Sequence, residues 1–126
     1  MAGKRHKLKL SPTDETYDGK EIQGNQLVNT TFNKREQEMA ILVNFLMACE
    51  LEKKDEIVRN IETIHRIDNT EHGEFLEVDE EEVKWFRNGM EKMASQRNIS
   101  WVKCREIIRQ INEPEEVGVK VVEKEE

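Results

Sequence analysis

The residues that could carry chemistry in this 126-residue chain are few and scattered. Cys49 and Cys104 each fall inside an apolar helical pattern, where burial makes a thiol unreactive. His6, His65 and His72 have no spacing that would bring two of them onto one metal ion, and the chain has no Cys-x-x-Cys. The sequence therefore predicts no catalytic residue, no metal site and no cofactor.

The glycines and the acidic run do not change this prediction. No Gly-Lys-Ser or Gly-Lys-Thr is present, so a phosphate-binding loop is not expected. The acids at Glu77 and 79–82 lack the alternating oxygen ligands and the glycine of a calcium loop. Asp79 has the position of a helix N-cap, with Glu82 three residues later as in a capping box. We interpret the run as a helix start and do not expect an enzyme.

Basic residues suggest one alternative function. Residues 1–11 hold four cations and no acid, although the whole chain has a formal net charge of −7. A short turn at 95–99 precedes a helix with basic side chains, an order similar to a helix-turn-helix. A nucleic-acid-binding protein that uses the basic N-terminal arm and the helix 100–111 is therefore the alternative, as is an acidic mimic of nucleic acid. Against direct binding, the preceding helix begins with acids that would repel phosphate.

Aromatic and arginine side chains favour protein binding. These residue types are enriched at the energetic centres of protein interfaces. The main prediction is a small non-enzymatic protein-binding module, accessory or regulatory, that engages a larger protein assembly. Its acidic surface would favour a basic site on the partner. The candidate contact residues are Tyr17, Trp85, Arg87, Trp101 and Arg105; the competing interpretation is that both tryptophans cover the core.

The elements that would position these residues start from the stretch Glu38–Leu51. Ten of the eleven residues from Met39 to Cys49 are apolar, too few to cross a bilayer. A helix that is apolar on nearly all sides belongs inside a core. The predicted fold class is therefore α+β, mainly α, with about four helices packed around this central apolar helix and a small two-stranded β ribbon.

Helix boundaries follow from capping residues. The first helix is expected to begin at Asn33, with Glu36 three residues later, and to end near Cys49; one continuous helix to Ile67 is the alternative. The second, Asp55–Arg66, is amphipathic, with an apolar stripe of Ile57, Val58, Ile61 and Ile64. Such a stripe usually faces the core.

The third and fourth helices complete the predicted domain. The third, Glu80–Ser95, contains Gly89, which would allow another helix to approach closely. The fourth begins at Asn98 or Ser100 and ends near Ile111, before Pro114. The strands Lys7–Leu10 and Glu74–Val78 form the ribbon.

The chain is predicted to have one globular domain between two extensions. Residues 1–6 are a basic flexible arm, residues 7–111 the domain, and residues 112–126 an acidic, disordered tail. Ser11–Thr31 is interpreted as a long loop with a brief strand or turn near Ile22 or Leu27-Val28. Val117–Val122 has β-type composition and is interpreted as frayed tail rather than a third strand.

Compartment and association follow from the same features. Free cysteines and the absence of an apolar segment after the basic start predict a cytoplasmic protein without a membrane partner. Spare apolar surface on a small helical domain leaves a homodimer open.

The order of these parts resembles the small accessory proteins of tailed bacteriophages. The similarity rests on the basic start leading into LKL, the helix around AILVNFLMA, the strand FLEV followed by DEEEVKWFRNGMEK, and the closing helix SWVKCREIIRQI. It covers about Lys7–Ile111. The resemblance implies a non-enzymatic protein of the host cytoplasm that binds a viral assembly component or a host machine.

Overall fold

A computed structural model of the chain describes residues 5–69, 73–96, 99–113 and 115–116. Within these ranges the fold is α+β and mainly helical, as predicted. The helices are α1 Lys34–Ala48, α2 Lys54–Asn69, α3 Glu80–Lys92, α4 Ile99–Lys103 and α5 Arg105–Asn112. The strands are β1 Arg5–Lys9, β2 Thr16–Gln23, β3 Gln26–Asn33, β4 Phe75–Asp79 and β5 Glu115–Glu116.

The strand β1 is the centre of a small antiparallel sheet with the order β4-β1-β5. It pairs with β4 from Arg5↔Asp79 to Lys9↔Phe75, which is the predicted ribbon. It starts at Arg5, so the last two residues assigned to the flexible arm lie in the strand. The first four residues of that arm, and the stretch Val117–Val122, lie outside the described residues.

On the edge of β1 opposite β4, the backbone groups are paired partly by β5 and partly by a side chain. β5 pairs with β1 at His6 and Lys7. Further along this strand, the Gln110 amide accepts from Lys9 N at 2.6 Å and donates to Lys9 O at 3.0 Å. An unpaired buried backbone group is costly. These two hydrogen bonds of Gln110 satisfy the backbone of β1 and so fix α5 against that strand.

The helix α1 is buried on one side rather than on all sides. Its inward side chains are Ile41, Leu42, Phe45 and Leu46, whereas Met47 is 69% exposed. Asn33 caps the helix by accepting from Glu36 N at 2.9 Å, as predicted. The helix ends at Ala48 and α2 begins at Lys54, so the alternative of one continuous helix to Ile67 is wrong.

Two further predictions need correction. The segment Ser11–Thr31 is not a long loop, because β2 and β3 pair along their whole length as an antiparallel hairpin. The predicted fourth helix is interrupted at Cys104, which separates α4 from α5. The first error concerns a segment whose periodicity is weak, and the second a helix whose apolar stripe continues across the break.

The helices α1 and α3 cross in close contact at Gly89. A Cβ atom placed on Gly89 would lie 1.8 Å from the carbonyl oxygen of Phe45. The expectation that this glycine permits close helix approach is therefore confirmed. The start of α3 also agrees with the sequence, since Asp79 and Glu82 form both bonds of a capping box.

Substitution of Gly89 by alanine should destabilise the protein, although alanine is the better helix former by about 1 kcal/mol. The methyl group would meet backbone that cannot rotate away, and overpacking of this kind costs about 3 kcal/mol. We expect a net loss of about 2 kcal/mol in urea unfolding, since the overpacking cost outweighs the gain in helix propensity. Gly73→Ala is the control, because nothing lies within 4 Å of its Cβ position. Equal stability of the two variants would contradict the close helix crossing.

Candidate protein-interaction surfaces

Two of the five predicted contact residues are occupied inside the protein. Trp85 is buried, and the Arg59 guanidinium lies 5.5 Å from the centre of its ring. Arg87 donates to the carbonyl oxygens of Ile111 at 3.0 Å and Asn112 at 3.4 Å. These carbonyls belong to the last turn of α5, where backbone acceptors lack helical partners. Trp85 and Arg87 therefore hold helices together.

Two other predicted residues, Tyr17 and Trp101, lie at α4. Tyr17 stacks on Phe32 with ring centres 5.4 Å apart, and its hydroxyl lies 3.2 Å from that of Ser100. The neighbouring Trp101 packs edge-on against Phe45 at 5.2 Å. Both rings are half-buried. The fifth residue, Arg105, is exposed on α5.

The hairpin formed by β2 and β3, residues 16–33, is called the hairpin arm below. Gly24 opens its two-residue turn with φ of 63°, and the next residue, Asn25, does not have positive φ. A positive φ at the first turn position alone is the pattern of a type II′ turn, which matches strand twist. The base is fixed by the Tyr17–Phe32 stack and by Lys34 N donating to Glu15 O at 2.9 Å.

The outer half of the hairpin arm is open to solvent. Every residue from 20 to 27 is exposed, and the cross-strand pair Ile22 and Leu27 is exposed by 72% and 65%. In the described chain β2 and β3 pair only with each other, so both outer edges carry unpaired backbone groups. An exposed apolar pair beside open edges is a surface to which another chain can add.

The second surface lies on α2, whose inward face differs from the one that the sequence predicts. The polar Asn60 and Thr63 are buried together with Ile67. Three residues of the predicted apolar stripe instead face outward, with Ile57 exposed by 39%, Val58 by 46% and Ile61 by 48%. The fourth, Ile64, is partly buried and packs against the core. The three outward residues, with the exposed Lys54 and Asp68 at the two ends of the helix, are called the α2 outer face below.

The reason for this orientation is the buried carboxylate of Glu82. It accepts hydrogen bonds from Thr63 Oγ1 at 2.7 Å, Arg66 Nη2 at 3.1 Å and Asp79 N at 2.9 Å. A buried charge without partners is far more costly than an exposed isoleucine. The polar side of α2 therefore turns inward, and Ile57, Val58 and Ile61 turn outward.

A shallow, open depression of about 650 Å³ lies beside the α2 outer face, and all of its lining residues belong to α2: Lys54, Asp55, Val58, Arg59 and Glu62. Arg59 also donates to Glu81 of α3. That hydrogen bond raises the pKa of Arg59. The depression therefore places one apolar side chain, Val58, among charged ones.

Both thiols lie where burial disfavours the reactive thiolate. Burial raises the pKa of the Cys104 thiol to about 11 and also raises that of Cys49. The buried Glu38 accepts from both Ser11 N at 2.8 Å and Ser11 Oγ at 2.7 Å, so its oxygens are occupied. In the described ranges no three metal-binding side chains cluster.

The basic helix of the alternative function is partly neutralised. Arg109 donates to Glu106 and to Glu113, and its hydrogen bond lowers the pKa of Glu106. Lys103 lies 6.0 Å from the centre of the Tyr17 ring. The break at Cys104 also divides the predicted helix 100–111, so its cations do not form one continuous face.

Comparison with protein-family models, with curated proteins and with solved structures found no match to this chain. Among the described helices, none is both long and apolar enough to span a bilayer. The geometry of the hairpin arm and of the α2 outer face is therefore the basis for assigning a function.

The orientation of α2 can be tested by two substitutions on opposite sides of the helix. Asn60 is buried, and its Nδ2 has no hydrogen-bond partner in the described chain. Asn60→Leu should therefore stabilise the protein by about 1 kcal/mol, since it removes an unsatisfied polar group. Ile61→Asp should change stability by less than about 0.5 kcal/mol, because its site is on the surface.

Urea unfolding of both variants provides the measurement. If α2 had its apolar stripe inward, the order would reverse, with Ile61→Asp costing several kcal/mol, on the order of a lost core residue. A large destabilisation by Ile61→Asp in dilute solution would therefore contradict the structure.

The buried Cys104 should make stability depend on pH above neutrality. Its pKa is raised from 9.0 to about 11, so the folded state holds the proton more tightly than the unfolded chain. The stabilisation is complete below pH 9 and is lost as pH rises toward 11. We expect the free energy of unfolding of the natural chain to fall more steeply over this window than that of Cys104→Ala. Identical slopes would contradict a buried thiol.

Proposed function

We propose that this protein is a non-enzymatic protein-binding module that engages a larger protein assembly through the hairpin arm. One observation carries the proposal. Residues 20–27 extend fully exposed from a base that is packed on the domain, with Ile22 and Leu27 facing each other across the strands.

An arm of this kind is suited to capture by another protein. Two-stranded hairpins are marginal in water and need packing for stability. Here packing is supplied at the base, by the Tyr17–Phe32 stack, whereas the described contacts of the outer half lie within the hairpin, such as Lys20 to Asn29 at 2.9 Å. A partner that covers the Ile22–Leu27 pair and adds a strand to an open edge would supply what the outer half lacks.

The charges of the arm favour a protein over a nucleic acid. Between Thr16 and Asn33 the arm has Asp18 and Glu21 against Lys20, so it carries no excess of cations to neutralise phosphates. Thr31 also donates to Asp18 at 3.2 Å, which keeps that carboxylate on the exposed face. The net charge of −7 supports a partner with a basic site.

The resemblance to accessory proteins of tailed bacteriophages is consistent with such a role. If the resemblance reflects a common function, the partner is a viral assembly component or a host machine, and binding takes place in the host cytoplasm. The role would be accessory or regulatory, since the described site supplies contacts and no reactive group.

The arm should lose its partner when its tip becomes charged. In extracts of the natural host, we expect wild-type protein to retain one partner at physiological salt and the variant Ile22→Asp/Leu27→Asp to lose at least about 90% of it, as expected for a buried apolar contact. Photo-crosslinking from position 22, read by mass spectrometry, should identify the same partner.

The control is Asn44→Asp/Gln96→Asp, which adds two charges at exposed positions outside the arm. It should retain the partner, and both variants should unfold at the wild-type urea concentration because their sites are on the surface. Retention by the tip variant, or equal loss by both variants, would disprove a binding role for the arm.

Nucleic-acid binding is the alternative function, and its salt dependence distinguishes it from protein binding by the hairpin arm. Affinity that depends on phosphates falls steeply between low and physiological salt. The exposed Lys103 and Arg105 remain for such contacts. A mobility shift at low salt that disappears in Lys103→Ala/Arg105→Ala would support the alternative and leave the arm without an assigned role.

A further inference from the structure

A second association surface follows from the α2 outer face, which the hairpin arm does not involve. We infer that two copies of the chain pair through antiparallel α2 helices, with Ile61 on the two-fold axis. The outward apolar stripe, the positions of two unpaired charges and the direction of the helix dipole support this pairing independently of the arm.

The α2 outer face contains an apolar stripe. Ile57 and Ile61 are one turn apart, and Val58 widens the stripe. All three are partly exposed because α2 turns its polar side toward Glu82. An apolar stripe on a folded surface indicates an interaction site.

Charge complementarity identifies a second copy as the occupant. Lys54 and Asp68 each lie seven residues from Ile61, in opposite directions, or about 10 Å along the axis. In an antiparallel pair centred on Ile61, Lys54 of each copy therefore faces Asp68 of the other. In the described part of the chain neither side chain has an ion-pair partner, and both are exposed.

The helix dipole gives an independent reason for the same pairing. A cation is unfavourable at a helix N-terminus and an anion is unfavourable at a C-terminus. Lys54 is the first residue of α2 and Asp68 the last but one. Each charge therefore lies at the end of its own helix where the helix dipole disfavours it. In the antiparallel pair each charge lies beside the opposite end of the partner helix, where the same dipole favours it.

The pairing is expected to be weak. Two crossed helices of 16 residues cover less than the roughly 1,600 Å² of a standard interface. Dimerisation should therefore depend on concentration.

Sedimentation equilibrium of the full chain tests the inference. Between about 5 and 500 µM the mass should rise from 14.9 kDa toward twice that value. Ile61→Asp should weaken dimerisation at least about 100-fold, because it places two like charges on the axis. A monomer at every concentration, or a dimer that Ile61→Asp leaves unchanged, would overturn the inference.

A charge swap tests the antiparallel geometry. Lys54→Glu alone, or Asp68→Lys alone, should weaken the dimer about tenfold, since each creates two facing pairs of like charge. Both changes also favour the dipole of their own helix, so unfolding of the monomer cannot explain a loss. The combined variant Lys54→Glu/Asp68→Lys should restore dimerisation to within about threefold. Failure of this rescue would overturn the antiparallel pairing.

The tip variant Ile22→Asp/Leu27→Asp separates this inference from the proposed function. It should dimerise like the natural chain, and Ile61→Asp should still bind the arm's partner. If the tip variant abolished the dimer, self-association would occur through the arm and the α2 pairing would be wrong. If Ile61→Asp lost a different protein while the natural chain stayed monomeric, the α2 outer face would belong to a heterologous partner and the inference would also be wrong.

Discussion

The buried carboxylate of Glu82 is the constraint on which the surface of this protein depends. Its position is fixed by the close crossing of α1 and α3 at Gly89 and by the capping box with Asp79. A charge held there must be hydrogen-bonded, and α2 supplies Thr63 and Arg66. The rotation of α2 about its axis, and so the exposure of Ile57, Val58 and Ile61, follows from this polar requirement together with the burial of Ile67.

Much of the fold could be predicted from local chemistry. Caps at Asn33 and Asp79, the ribbon between Lys7–Leu10 and Glu74–Val78, and the role of Gly89 depend on a few neighbouring residues or on alternation. The hairpin at Ser11–Thr31 was missed although a signal exists. Gly24-Asn25 is a two-residue hairpin turn between strands that contain Thr16, Thr30 and Thr31, but the many turn residues nearby favour a loop.

The orientation of α2 about its own axis could not be predicted from local chemistry. Periodicity shows that Ile57, Val58 and Ile61 share a face, but the inward face depends on the rest of the core. Asn60 and Thr63 were a possible signal, since both are buried here. Recognising it would have required knowing that Glu82, 19 residues after Thr63, is buried opposite.

The candidate contact residues show the same limit for function. Trp85 and Arg87 have the composition of an interface centre, yet their groups are used within the domain: one ring packs under Arg59 and one guanidinium binds the end of α5. Residue type alone does not distinguish an external partner from an internal one, because both require the same apolar area and the same donors.

The two proposed surfaces together would have a consequence that neither has alone. The hairpin arm would engage the assembly, and the α2 outer face would join two copies. A two-fold dimer would carry two arms, so binding of one arm would raise the effective concentration of the second near any repeated site. Each contact could then be weak, as a short hairpin tip and a single helix pair require, while the dimer still bound firmly to an array of identical subunits. A lone partner would gain nothing from this arrangement. The combination therefore favours an assembly with repeated sites over a single receptor.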